Sequence, residues 1–118
     1  MRVLIIDDDE TALLIASRRL RARGHVVETR AEAIGTTNVV RSFRPDVVVL
    51  DLSMPALGGA RLAELIQKAG LDASLVLYSS LEPEALAAEA KRLGAQAFVH
   101  KSRAADLVDV VEALADGG

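Results

Sequence analysis

The sequence contains no cysteine and no tryptophan, only one tyrosine and two phenylalanines, and three prolines among 118 residues. Without cysteine there is no disulfide, no thiolate metal site and no cysteine nucleophile, and the composition fits a reducing compartment. A cytoplasmic protein is the default expectation. No apolar run is longer than a few residues, and the N-terminus turns acidic before a signal-type h-region could form, so neither a membrane span nor a secretory signal is expected. There is also no excess of positive charge. A net charge of −3 argues against general affinity for nucleic-acid phosphates. The basic cluster Arg18, Arg19, Arg21 and Arg23 has helical spacing and no interleaved aromatics, which reads as a solvated helix face.

What is present is 51% apolar residues, dominated by Leu, Val, Ile and Ala, with 26% charged. That suits one domain in which helices pack closely on a sheet. Short β-branched runs alternate with longer helical patterns, the arrangement expected of a parallel sheet covered on both faces. Strands are expected at Val3–Ile6, Val26–Glu28, Val47–Leu50, Leu75–Ser79 and Ala97–His100. "VVVL" is apolar throughout rather than alternating, which places its strand in the interior.

Five helices separate or follow these strands. Leu107, Val110, Val111 and Leu114 mark the fifth, Leu62, Leu65, Ile66 and Ala69 the third, Leu86, Ala90 and Leu93 the fourth, and Leu13, Ala16 and Leu20 the first. The first ends at Gly24, a residue suited to the left-handed conformation, and Pro83 suits the first turn of the fourth. The second, within "AEAIGTTNVVRSF", holds Gly, Thr and Asn and should be short or irregular. Pro45 and Gly94 punctuate helix-to-strand turns, and Gly58 and Gly59 suit the turn into the third helix. Five βα units of this length predict a doubly wound, five-stranded parallel α/β sheet in the order 2-1-3-4-5, a flavodoxin-like sandwich with its ligand cleft at the carboxyl ends of the strands.

The chemistry gathers at those ends. "IIDDDE" places Asp7 and Asp8 directly after an apolar strand, and "VVVLDLSMP" places Asp51 likewise. Clustered carboxylates repel one another and resist desolvation, so a cation is expected to offset them. Mg²⁺, with Mn²⁺ as a substitute, suits a few carboxylates plus water and phosphate oxygens. Asp9 and Glu10 are expected in the first turn of helix one, where negative charge complements the helix dipole. Ser79 ends strand four and Lys101 ends strand five, offering a hydroxyl and an ammonium at the same edge. A carboxylate beside a divalent cation and a lysine can attack phosphorus and form an acyl phosphate. His100, beside Lys101 but on the opposite strand face, reads as structural or exposed.

In "IIDDDE", "VVVLDLSMPALGG", "VLYSS" and "GAQAFVHKS", in this order and spacing, the chain resembles the response-regulator receiver domain of two-component signalling over its whole length. The resemblance implies that Asp51 is the phosphoacceptor, charged by a sensor histidine kinase or phosphotransfer protein. It implies that Asp8, Asp51 and the main-chain carbonyl of Ser53 bind Mg²⁺, with Asp7 acting largely through water. Ser79 and Lys101 would grip the phosphoryl oxygens, and Phe98 would be the switch aromatic. The face of helix four, strand five and helix five would contact a downstream protein or output domain, or a second copy of the chain. Side chains at Ser53 and Leu81 would control the hydrolytic water. Such a protein turns over no external substrate.

The chain departs from the family pattern after Lys101, where proline is usual and Ser102 stands. A non-proline cis bond costs about 2.5–4 kcal/mol, so a trans bond with a reshaped loop is expected ahead of a strained cis one, with Ser102 capping helix five. Two rival functions are an unphosphorylated receiver-like binding module, disfavoured by the intact Asp7, Asp8, Asp51, Ser79 and Lys101 set, and a Mg²⁺-dependent phosphatase, disfavoured by the lack of a second carboxylate in "DLSMP". The closing "ADGG" fits a natural end or the start of a linker.

Overall fold

The computed structural model describes residues 1–32, 34–53, 59–68 and 72–116. Its elements are β1 (Arg2–Ile6), α1 (Glu10–Ala22), β2 (Val26–Arg30), α2 (Thr36–Phe43), β3 (Val47–Leu50), α3 (Gly59–Lys68), β4 (Ser74–Ser79), α4 (Pro83–Leu93), β5 (Ala97–His100), a 3₁₀ segment (Lys101–Asp106) and α5 (Leu107–Asp116). The five strands form one sheet in the order β2-β1-β3-β4-β5, every pairing parallel, as the alternation of patterns predicts.

Strict alternation of side chains sorts the apolar residues into two layers. Val3, Ile5, Val47, Val49, Val76 and Val99 point toward α1 and α5, where they meet Leu13, Ala16, Leu20, Leu107 and Val111. Leu4, Ile6, Val48, Leu50, Leu75 and Leu77 point the other way and meet Val40, Leu62, Ile66, Leu86 and Leu93 from α2, α3 and α4. "VVVL" is buried along its full length because β3 lies at the centre of the sheet between both layers.

Local chemistry sets most element ends. Asp9 is the N-cap of α1, its carboxylate accepting from the Thr11 and Ala12 amides at 3.0 and 3.2 Å. That corrects its expected place in the first turn, which Glu10 alone occupies. An aspartate oxygen satisfies two orphan amides better from the cap than from inside the helix. Gly24 follows α1 with φ +88° and Gly94 caps α4 with φ +70°, both in the left-handed region. Pro83 opens α4 as expected.

The second helix is only eight residues long and starts at Thr36 after Gly35 at φ +79°, so Ala31 and Glu32 of the expected helical string lie outside it. Three strands run further than expected: β1 begins at Arg2, paired with Val26, β2 continues through Thr29 and Arg30, which pair with Ile5 and Ile6, and β4 begins at Ser74, paired with Val47. In α3, Leu62 and Ile66 are buried; the Leu65 side chain, Ala69 and the Gly58 turn lie outside the described residues.

Candidate functional site

The same alternation that builds the core delivers the polar residues. Asp7 and Asp51 continue the α1/α5 side of β1 and β3, and the parallel ladder extends past the strands to hold them. The Asp7 amide donates to the Arg30 carbonyl at 3.0 Å and the Asp51 amide to the Ile6 carbonyl at 2.9 Å. Asp7 and Asp51 are 1% and 3% exposed, whereas Asp8 is exposed at the rim. Carboxylate oxygens of Asp7, Asp8 and Asp51 lie within 4.8 Å of one another.

Lys101 closes the cluster. Its Nζ is 2.7 Å from Asp7 Oδ2 and 3.1 Å from Asp51 Oδ2, with only 17% of the side chain exposed. The same ammonium stands 5.8 Å from the centre of the Tyr78 ring, on the α1/α5 side, close enough for a cation–π contribution. Two further amides point into the cluster: that of Asp9 donates to Asp7 Oδ1 and that of Ser53 to Asp51 Oδ1, each at 2.9 Å. Ser79 reaches the cluster from the other side of the sheet. It is fully buried, its Oγ 3.4 Å from Ser53 Oγ and accepting from the Leu81 amide at 3.3 Å.

The charge balance of this pocket is uneven, because three carboxylates cluster where one ammonium pairs with two of them. Burial raises the Asp7 carboxyl above its ordinary value, the Lys101 contact and the Asp9 amide opposing it and the Asp51 charge adding to it. Burial alone would lower Lys101, but its ion pairs with Asp7 and Asp51 outweigh that and raise it. The two partners move in opposite senses as regards charge, and both directions are physically consistent. Lys101 gains two anions, while Asp7 shares one cation and loses water. The Asp7–Lys101 contact is moreover an ion pair without hydrogen-bond alignment, leaving Asp7 Oδ2 a buried acceptor with no aligned donor.

A stability consequence follows. A carboxyl raised on folding binds its proton more tightly in the folded than in the unfolded state. Its ionisation therefore disfavours the fold progressively as pH rises from the unfolded value of 3.8 through the higher folded one. Asp7→Asn removes that charge and keeps an oxygen for the Asp9 amide. Urea unfolding in EDTA at neutral pH is expected to show the variant about 1 kcal/mol more stable, the difference vanishing in acid. Equal or lower stability of the variant at neutral pH would contradict the charge balance described.

Of the residues singled out in the sequence, Asp7, Asp8, Asp51, Ser53, Ser79 and Lys101 come together. Leu81 is half-buried behind Ser79 against the α4 layer. Phe98 does not join them: it points to the α4 side of β5 and is 44% exposed. Ser102 does not cap α5 either. The Lys101–Ser102 peptide is trans, as expected, and Ser102 lies in the first turn of the 3₁₀ segment that precedes α5. His100 caps that segment instead, its Nδ1 accepting from the Ser102 amide at 3.1 Å. The cap of His100 and the packing of Tyr78 under Lys101 are the two site features the sequence reading missed. The side on which Tyr78 lies was approachable from strand parity, since Tyr78 precedes Ser79 and therefore faces the opposite layer.

Fold and site together define a parallel α/β domain with an acidic, lysine-closed pocket at the carboxyl edge of its sheet. The chain belongs to the response regulator receiver domain family, whose model matches residues 3–112. Among curated proteins it is similar to response regulator MprA of Mycobacterium avium (strain 104), with 30% identity over 80 residues, 68% of this chain and 35% of that protein. The chain thus spans about a third of the length of the curated relatives it matches. Among solved structures it is similar to a LuxR-family two-component response regulator from Aurantimonas sp. SI85-9A1, with 31% identity, a TM-score of 0.83 and coverage of 98% of this chain and 85% of that one. The fold is also that of Vibrio cholerae chemotaxis protein CheY4, with a TM-score of 0.86 at 22% identity over 96% and 97% of the two chains. Receiver domains bind Mg²⁺ at an acidic pocket, and Asp7, Asp8 and Asp51 form such a group here. Among the described residues no helix is long and apolar enough to cross a membrane.

Proposed function

We propose that this chain is a phosphorylation-controlled switch in which Asp51 accepts a phosphoryl group from a phosphohistidine on a partner kinase or phosphotransfer protein. The observation that carries this reading is the 3%-exposed Asp51 carboxylate, flanked by two further aspartates and held 3.1 Å from the Lys101 ammonium. In the transfer an Asp51 oxygen forms a bond to phosphorus. The P–N bond to the donor imidazole breaks, and the electron pair ends on that nitrogen, which takes a proton from solvent.

The pocket suits a hard divalent cation, since it offers three carboxylates and a buried Asp7 oxygen that lacks an aligned donor. Asp8, Asp51 and the Ser53 carbonyl would hold Mg²⁺, with Asp7 contributing through water, and the bound ion supplies charge neutralisation for the phosphoryl oxygens. Lys101 and the Ser79 hydroxyl bind those oxygens from opposite sides of the sheet. The Ser53 amide keeps Asp51 oriented. Ser53 and Leu81, flanking the Ser79 hydroxyl, stand where side chains govern the entry of water to the acyl phosphate.

Signal output follows from Ser79. A shift of its hydroxyl toward the phosphoryl group frees space on the α4 side, and Phe98, whose ring is turned outward, can occupy it. Phosphorylation then biases a two-state equilibrium of the α4-β5-α5 face, which a downstream protein or output domain reads. The domain turns over no external substrate.

The test is intact-mass spectrometry after incubation with a small-molecule phosphodonor and Mg²⁺. One added phosphoryl group is expected, and none when EDTA replaces Mg²⁺. An unmodified mass with every donor tried in Mg²⁺ would contradict the reading, and continuous phosphate release from many esters would turn it toward a phosphatase.

A further inference from the structure

Lys101 reaches Asp7 and Asp51 only if the chain leaving β5 turns in one particular way, and that turn is held by few interactions. The 3₁₀ segment Lys101–Asp106 is short, contains non-helical geometry at Arg103 (φ −114°, ψ 45°) and buries none of its residues. Ser102 carries an amide hydrogen that a proline would lack, and that hydrogen needs an acceptor. His100 supplies it: Nδ1 is 3.1 Å from the Ser102 nitrogen and 2.8 Å from Ser102 Oγ. An imidazole whose Nδ1 lone pair receives the amide carries its hydrogen on Nε2. The cap thus spans the residues on either side of Lys101.

We propose that His100 is a positioning residue for phosphoryl transfer, its neutral imidazole pinning the Lys101–Ser102 turn so that the ammonium stays on Asp7 and Asp51. The inference rests on the phosphoacceptor reading above. His100 touches neither the carboxylates nor an incoming phosphoryl group; it acts through the backbone of its neighbour. The same imidazole lines a groove of about 730 Å³ beside Phe98, Leu86 and Val110, where Glu82, Arg103 and Asp106 are the other charged groups facing it. Arg103 and Asp106 pair with each other at 2.7 Å.

Two variants separate positioning from mere folding. His100→Ala removes the acceptor, and His100→Asn keeps one at nearly the same distance from Cβ, asparagine being a strong capping residue. Two readouts are taken on wild type and both variants. The carboxyl-carbon NMR resonances of Asp7 and Asp51 report directly on Lys101. The rate of mass gain with a small phosphodonor reports on the chemistry. The carboxyl resonances are expected to move in His100→Ala and to return in His100→Asn, and the rate to fall about fivefold and recover likewise, the size of change a lost cap produces.

Carboxyl resonances unchanged in His100→Ala would overturn the inference whether or not the protein takes up phosphate. A wild type that takes up none would instead overturn the phosphoacceptor reading, with the resonances still deciding the role of His100. The same shift in both variants would also overturn it, by assigning the effect to the ring and not to the acceptor.

Discussion

Asp51→Asn is expected to reduce phosphoryl uptake to below about a thousandth of the wild-type rate, as removal of a nucleophile does in other group-transfer sites. The substitution preserves shape, so the Ser53 amide keeps its acceptor and the β3 terminus its hydrogen bond to Ile6. What disappears is the anionic oxygen, since a carboxamide oxygen cannot hold phosphorus as a stable acyl phosphate. The variant should remain folded, because removing one of three clustered negative charges relieves repulsion in a pocket where the Lys101 ammonium pairs with only two of them. Intact mass under the conditions that load wild type checks the first part, and urea unfolding the second. Uptake at an unchanged rate would show that the phosphoryl group goes elsewhere.

Lys101→Ala is expected to slow uptake by about 10²–10³-fold, the usual effect of deleting one preorganised group that faces developing oxyanion charge. Its ammonium is mostly shielded from water and already sits beside the Asp51 oxygen, so little reorganisation is needed when phosphoryl oxygens arrive. Without Lys101, the buried carboxylates of Asp7 and Asp51 have no cation of their own, and the fold should lose about 2 kcal/mol in EDTA at neutral pH. Mg²⁺ should then bind more tightly than in wild type, because no internal cation competes for Asp7. Wild-type uptake with wild-type Mg²⁺ affinity in this variant would remove Lys101 from the mechanism.

The sheet was legible in the sequence because its strands are short, β-branched and separated by helical periodicity. β3 and β5 fall on the expected residues, and the order β2-β1-β3-β4-β5 is the one the βα alternation implies. The errors lie where a side chain chooses between neighbouring backbone donors. Asp9 takes the cap rather than the first turn, and His100 rather than Ser102 supplies the cap after β5. Spacing identifies such candidates but does not rank them, since the ranking depends on how the chain leaves the strand.

The converging acids were legible for a different reason. Carboxylates directly after "VVVL" and "VLII" are costly to bury, so their presence calls for a cation and fixes the end of the sheet at which it binds. Two features lay beyond that logic. The outward ring of Phe98 is a rotamer choice, and the stacking of Tyr78 beneath Lys101 depends on two strands that are adjacent only after folding.

The most direct test of the central claim is to locate the phosphoryl group on the protein. After loading with a phosphodonor and Mg²⁺, borohydride reduction converts an aspartyl phosphate to homoserine, and peptide mass spectrometry then reads the position. Conversion at Asp51 alone is predicted. Conversion at Asp7 or Asp8, or a phosphoryl group on His100 with Asp51 intact, would contradict the account.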